Sequence, residues 1–121
     1  MRGGEDATKS QDVIDEQVLY VSMSRPFIFS VAAGARERLV QAEVQLMVRG
    51  EAKMATAKRH LPLLESTLLA VLSRQDADNY LTAEGKRMVR QEAQNELNQV
   101  LAEELGEGLV EQVLFTGIVM Q

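Results

Sequence analysis

The chain has 121 residues, with 13 Lys and Arg against 18 Asp and Glu, one His and no Cys, for a formal net charge of −5. A length of this order suits one domain with a self-sufficient core. The composition excludes a disulfide scaffold, Cys-ligated zinc, a thiol nucleophile and any multi-His metal centre. The acidic balance argues against nucleic acid as a partner, because such binders need a basic footprint.

The charge is unevenly placed. Residues 1–16 carry two positive and five negative side chains, residues 17–81 eight and six, and residues 82–121 three and seven. Two readings stay open: ordinary solvated surface, or head-to-tail complementarity between copies. The longest strongly apolar stretch, Leu68-Leu69-Ala70-Val71-Leu72, falls far short of the roughly 20 residues that a transmembrane helix needs. The opening Met1-Arg2-Gly3-Gly4 lacks the pattern of a secretory signal. The protein is therefore expected to be cytoplasmic, or the chain to be a soluble fragment of a longer one.

Residues 1–16 are polar, with Val13 and Ile14 as their only large apolar side chains after Met1. Such a segment cannot bury enough surface to offset its ordering entropy, and reads as a linker. A short helix over Asp12 to Gln17 forms only if something packs on Val13 and Ile14. Residues 18–33 read as extended, because Val18, Tyr20 and Pro26 favour strand or edge conformations. After Pro26, the residues Phe27, Phe29, Val31 and Ala33 share one parity and point to one face. Gly34 and Ala35 form a turn, so the next strand pairs back as an antiparallel hairpin. That strand, residues 38–49, has the cleanest alternation: Val40, Ala42, Val44, Leu46 and Val48 against Gln41, Glu43, Gln45, Met47 and Arg49.

Gly50 ends the strand. Residues 51–73 read as helix, with Met54, Ala57, Leu61, Leu64, Leu68 and Val71 at three- and four-residue steps. Pro62 predicts a kink, a 3₁₀ turn or a new helix near Ala57 to Leu61. The second half is apolar over more than one face, which fits either burial between the sheet and a second helix or a subunit interface. Residues 74–81 are polar and loop-like. Thr82 is a predicted N-cap, with Glu84 in the first turn to oppose the helix dipole. The helix then runs to about Leu105 and buries Gly85, Val89, Ala93, Leu97, Val100, Leu101 and Leu105. Gly85 on that stripe signals close approach of another backbone. Gly106 and Gly108 supply the stop.

Residues 109–120 close the chain as a strand. Val113, Phe115 and Val119 lie on one parity and Leu114, Ile118 and Met120 on the other, so the strand is expected to be central or covered on both sides. Gly117 marks a bulge or a close contact. The order predicts an α+β domain, β-β-α-α-β, with two main helices on one face of a small, mainly antiparallel sheet. Val44, Leu46, Leu64, Leu68, Leu97 and Phe115 are expected to share one core.

The chemistry of catalysis is missing from this pattern. The lone His60 stands beside Lys58 and Arg59 on a polar helix face and reads as an exposed or capping residue. No Ser or Thr has a His placed by a known motif, and Glu103 and Glu104, as helix neighbours, do not converge on one site. No Gly-rich phosphate loop or EF-hand loop occurs. The basic group Arg36, Arg38, Arg49, Lys53, Lys58 and Arg59 has no interleaved aromatics for base stacking. A non-enzymatic binding or structural module follows, with no cofactor and no metal.

Four motifs, in order, resemble one family. The C-terminal run from Val110 to Gln121 is similar to the V-x-x-V-L-F-T-x-x-x-x-Q ending of the bacterial flagellar basal-body-associated FliL proteins, through Leu114, Phe115, Thr116 and Gln121. Thr82, Glu84, Gly85 and Lys86 match the T-x-E-G-K segment that opens the family's second helix. Pro62, followed by an apolar run and Ser73, resembles its Pro-bearing first helix, and Pro26-Phe27 its first strand. The resemblance covers about residues 18–121. It implies a stomatin- and prohibitin-like (SPFH) fold in a periplasmic domain, residues 17–121. Residues 1–16 become the membrane-proximal linker, and the one N-terminal transmembrane helix of the family is absent from this chain. It implies an inner-membrane protein of the flagellar basal body that serves motility and chemotaxis. Its implied partners are the stator proteins, through the plug and linker region of their B subunit, together with basal-body components and a ring of further copies. Arg36 and Arg38 are the candidate contact residues, with segments 36–59 and 84–111 as the basic and acidic sides of a contact between copies. The competing reading is a small-ligand-binding α+β domain unrelated to motility.

Overall fold

A computed structural model describes residues 17–121. The linker expected over residues 1–16 lies outside the described residues, as does the conditional helix apart from Gln17. The elements run β1 (Val18–Ser22), β2 (Phe27–Ala33), β3 (Arg36–Arg49), α1 (Glu51–Arg59), α2 (Leu61–Ser73), a 3₁₀ turn (Ala77–Tyr80), α3 (Ala83–Leu105) and β4 (Gln112–Met120). The expected α+β arrangement is present. The extended run 18–33 is resolved into two strands and the helical run 51–73 into two helices.

β3 is the spine of the sheet. β1 pairs antiparallel with residues 45–49 and β2 with residues 36–42, one after the other along the same edge. Pro26 explains the gap between them, since it has no N–H to give to a ladder. Within the gap Met23 N donates to the Val44 carbonyl at 3.4 Å. The alternation in β3 does what its period requires: Val40, Ala42, Val44, Leu46 and Val48 all face the helices and none is more than 4% exposed.

β4 corrects one expectation. Among the described residues it pairs only with β3, along residues 40–47 on the edge opposite β1 and β2, so there it is an edge strand rather than a central one. The register shows why the parity misled. Val44 faces Phe115 and Glu43 faces Gly117, which leaves Thr116 as the extra residue of a bulge. The bulge reverses the alternation. Val113, Phe115, Ile118 and Met120 therefore turn to the same core face, opposite Leu46, Val44, Ala42 and Val40. Part of each parity, Val113 with Phe115 and Ile118 with Met120, thus shares the core face, while Leu114 and Val119 point away from it.

The helices cover that face. Pro62 starts a new helix rather than kinking one. His60 N–H closes α1 on the carbonyls of Thr56 and Ala57, and the His60 carbonyl accepts from Leu64 N at 3.1 Å to begin α2. α2 buries Leu64, Leu68, Val71 and Leu72, and α3 buries Gly85, Val89, Ala93, Leu97 and Leu101. Val100 and Leu105 are half-buried. The six residues expected in one core are there, Phe115 at its margin.

The polar run 74–81 is more ordered than its composition suggests. Tyr80 is buried, donates its hydroxyl to the Leu72 carbonyl at 2.6 Å, and lies between the rings of Phe29 and Phe115. Gln75, also buried, donates to the Val71 carbonyl at 3.0 Å and accepts from Asn79 at 2.9 Å. Amides and one phenol that can satisfy each other and the backbone allow a polar segment to sit against the core.

Candidate interaction surfaces

Thr82 and Gly85 build the start of α3. Thr82 is extended, and its hydroxyl accepts from Gly85 N at 2.9 Å, as an N-cap must. A Cβ on Gly85 would stand 2.7 Å from the Cα and carbonyl oxygen of Asn79. Gly85 thus permits the close approach read from the stripe, and the neighbour is the 3₁₀ turn rather than a helix. Glu84 is exposed and pairs with Arg87 at 2.6 Å. That hydrogen bond and its charge hold the Glu84 carboxyl below, and the Arg87 guanidinium above, their ordinary ranges. Lys86 is half-buried, with its backbone N–H on the Thr82 carbonyl. At the other end Gly106 has φ 90°, the left-handed conformation that ends a helix with least strain in glycine.

The remaining motif residues are spread over the domain. Pro26 is exposed beside α2 while Phe27 is buried, and Pro62 is exposed in the first turn of α2. Leu114 lies on the sheet face away from the helices, Phe115 at the core margin and Thr116 at the bulge. Gln121 is exposed, and its carbonyl accepts from Arg38 Nε at 3.2 Å. Arg36 is exposed at the hairpin. These positions fix the fold's joints; they do not converge on one pocket.

The basic segment 36–59 does not form one face. Arg36 and Arg49 are the two ends of β3, on the order of 40 Å apart for an extended strand of that length. Arg49 is paired with Glu111 at 2.5 Å. The acidic segment 84–111 is largely spent within the domain. Arg74 binds both Glu92 and Glu96, and these bonds raise its pKa, Glu96 contributing most. Glu84 and Glu111 have the partners named above. Glu103, Glu104 and Glu107 are left exposed at the C-terminal end of α3. That end lies near Arg49, through the bonds of Asn98 to Val110 and of Glu111 to Arg49. The hairpin with Arg36 lies at the opposite end, beside the 3₁₀ turn, through the Ala32–Asp76 bridge.

Two further surfaces were not visible as such in the sequence. The sheet face away from the helices exposes Val18, Tyr20, Ile28, Leu39 and Val119. Ile28 and Val119 flank Gln41 from both sides of β3, forming one row across three strands. The second surface is a groove of about 350 Å³ between α3 and β4, lined by Arg87, Arg90, Gln91 and Gln94 and by residues 112–115. The signal for it was the segregation of α3: Arg87, Arg90, Gln94 and Asn98 recur at three- and four-residue steps, offset from Glu92 and Glu96.

His60 sits between two helices, and burial, with the charge of Glu92 adding to it, pushes the Tyr80 phenol up, away from any range where it would exchange a proton near neutrality. Among the described residues no group of three or more His, Cys, Asp or Glu is placed to hold a metal, and no helix is long and apolar enough to cross a membrane.

Comparison with known proteins gives one consistent result. The model of the family described as flagellar basal body-associated protein FliL matches residues 20–121. The flagellar protein FliL of Escherichia coli K12 is 28% identical over 116 residues, which span 96% of this chain and 73% of that protein. The flagellar protein FliL of Shigella flexneri is similar to the same extent, 28% over 116 residues. The family match begins within β1 and runs through β4, so it takes in every strand, helix and joint described above, and the chain belongs to the FliL family of flagellar basal-body-associated proteins.

Proposed function

We propose that this chain is the periplasmic part of a non-enzymatic flagellar motor scaffold that associates with stator units and supports torque and motility. In this reading residues 17–121 are the working domain, residues 1–16 tether it to an inner-membrane helix, and copies assemble into a ring around their partner. The observation that carries the reading is the family match over residues 20–121, the whole of the folded sheet and helices. The disposition of charge supports a ring. Arg36 at the hairpin and Glu103, Glu104 and Glu107 at the end of α3 lie at opposite ends of the domain, which is what a heterologous head-to-tail contact requires. Tethering to a membrane confines copies to a plane and raises their effective concentration, so a weak contact of this kind suffices.

The test is cross-linking of the full-length protein in motile cells, with the stator proteins probed. Expected are adducts to the stator's B subunit and a ladder of self-adducts. Deletion of the gene should reduce swimming in soft agar or under load, and a copy lacking residues 17–121 should not restore it. Absence of both adduct classes in cells that swim normally without the protein rejects the scaffold reading.

A further inference from the structure

The open feature with the most specific chemistry is the free edge of β4. β3 occupies one edge, and among the described residues no strand pairs with the other. Along such an edge, alternate residues turn their N–H and C=O groups away from the sheet, where a further strand can take them. Among the described residues, the hydrogen bonds from α3 side chains reach only the backbone just before this edge. Asn98 exchanges two hydrogen bonds with Val110, and Gln94 Nε2 donates to the carbonyls of Val110 and Glu111 at 3.3 and 2.6 Å. Beyond residue 111, among the described residues, no side chain of α3 hydrogen-bonds to the strand, and a groove between them runs along residues 112–115. The bulge at Thr116 ends the flat stretch, because it adds twist and interrupts pairing.

The groove has a charge of its own. In a chain of net charge −5, no carboxylate lines it, and two guanidinium groups do. Arg90 is half-buried, with its guanidinium carbon 5.7 Å from the centroid of the Phe115 ring, and among the described residues it has no ion-pair partner. A guanidinium laid on an aromatic face is held in place while its in-plane donors stay available. Arg87 stands beside it, its own charge partly answered by Glu84.

We infer that this groove receives an extended acidic segment of a partner protein, which adds as a short strand to residues 112–115 and sets an Asp or Glu carboxylate on Arg90. Main-chain pairing supplies affinity without strict sequence demands, and the carboxylate on Arg90 supplies selection. The inference deepens the scaffold reading by giving the chemistry of one partner. It rests on that reading only for its setting in the cell.

The experiment titrates ¹⁵N-labelled protein with the capped peptide Thr-Val-Thr-Glu-Thr-Val-Thr. Two controls accompany it, the same peptide with Gln for Glu, and one with Pro at both Val positions. The Glu peptide should shift the amide signals of Val113 and Phe115 and the Nε–H signal of Arg90. The Gln peptide should bind roughly tenfold more weakly, as for loss of a charge-assisted hydrogen bond. The Pro peptide should cause no shift at the edge, because it cannot complete the ladder. Arg90→Gln should erase the difference between the Glu and Gln peptides while its spectrum stays that of the folded protein. Equal binding of the Glu and Gln peptides, undiminished binding of the Pro peptide, or shifts centred elsewhere overturns the inference. So do concentration-dependent shifts at Val113 and Phe115 without peptide, which assign the edge to a second copy. Stator adducts in cells with no peptide binding leave the scaffold reading standing without this edge; peptide binding with no adducts leaves the edge without the scaffold.

Discussion

The two flanks of α3 meet their neighbours in opposite ways. Toward α2 the helix is closed: Ala93, Leu97 and Leu101 are fully buried, and the carboxylates of Glu92 and Glu96 are gripped by the single guanidinium of Arg74. Toward β4 it is tied by hydrogen bonds only at one end, by the amides of Gln94 and Asn98, and then faces a groove with Arg90, Arg87 and a strand edge that has no partner among the described residues. One helix therefore does two jobs with two chemistries. The flank with matched volume and paired charge stabilises the fold. The flank whose donors exceed its acceptors is left for something else to satisfy. Burial and pairing, rather than the amount of charge, separate the structural side from the available one.

The comparison breaks most visibly if the closed flank is loosened. Leu68 is 0% exposed in the α2 seam, and Leu68→Ala should cost about 2–5 kcal/mol, from lost transfer energy plus the cavity left behind. Thermal or denaturant unfolding of the purified domain checks this; an unchanged midpoint would show that the seam collapses around the gap. Gly85→Leu acts at the start of α3, by crowding against the 3₁₀ turn. The nearest atoms to a new Cβ are backbone, at 2.7 Å, and cannot swing aside. The expected loss is about 1–3 kcal/mol, read by the same melts.

Tyr80 sharpens the comparison in pH. Burial raises the folded pKa of its phenol, whereas the unfolded chain releases that proton near its ordinary value of about 10. The folded state thus binds more protons above that pH. Its stability is full below about pH 10 and falls as the pH rises further. Tyr80→Phe should cost about 1 kcal/mol at neutral pH, for the lost bond to the Leu72 carbonyl, and should flatten the alkaline decline. Melting temperatures of the two proteins from pH 7 to pH 11 make the comparison; parallel curves would mean that Tyr80 opens to solvent before it titrates.

How much of this was legible follows from the range of each cause. The β3 alternation, the Thr82 cap, the Gly106 stop and the new helix at Pro62 are dictated by neighbours within a few residues, and each could be read in order along the chain. The position of β4 could not. Its two apolar parities suggested a strand covered on both sides, and only pairing with β3 reveals that Thr116 is a bulge which brings Ile118 and Met120 onto the face of Val113 and Phe115. Tyr80 was hidden for a similar reason. Its partners Phe29, Leu72 and Phe115 come from three other elements, so its polar surroundings in sequence gave no hint of burial. The candidate contact residues were half legible: Arg36 and Arg38 are where a hairpin puts them, but Arg38 is engaged by the Gln121 carbonyl, and the neighbouring charges that seemed to extend the patch lie at the far end of β3.

The smallest effect on stability is expected at the ends of the domain, where the effect on assembly should be largest. Arg36 is exposed, so Arg36→Glu should leave the melting temperature within about 0.5 kcal/mol of the parent, as for surface changes away from packed features. Arg38→Glu should cost somewhat more, since it releases the Gln121 carbonyl from its only side-chain donor among the described residues. If copies meet head to tail, reversing Arg36 places two negative ends together and should reduce motility support. Reversing Glu103 and Glu104 to Lys in the same protein should restore it, because the attraction returns with its direction exchanged. Neither change alone should do so. Added salt should weaken the parent contact, as charges separated by more than about 8 Å are screened at physiological ionic strength. Swimming of cells carrying the single, double and combined variants, beside circular dichroism of each purified domain, reads assembly and fold separately. Rescue by the combined variant requires that the two ends meet in neighbouring copies. Equal loss in all three would mean that each end serves a different partner, and normal swimming with the Arg36→Glu variant removes this end of the domain from the contact altogether.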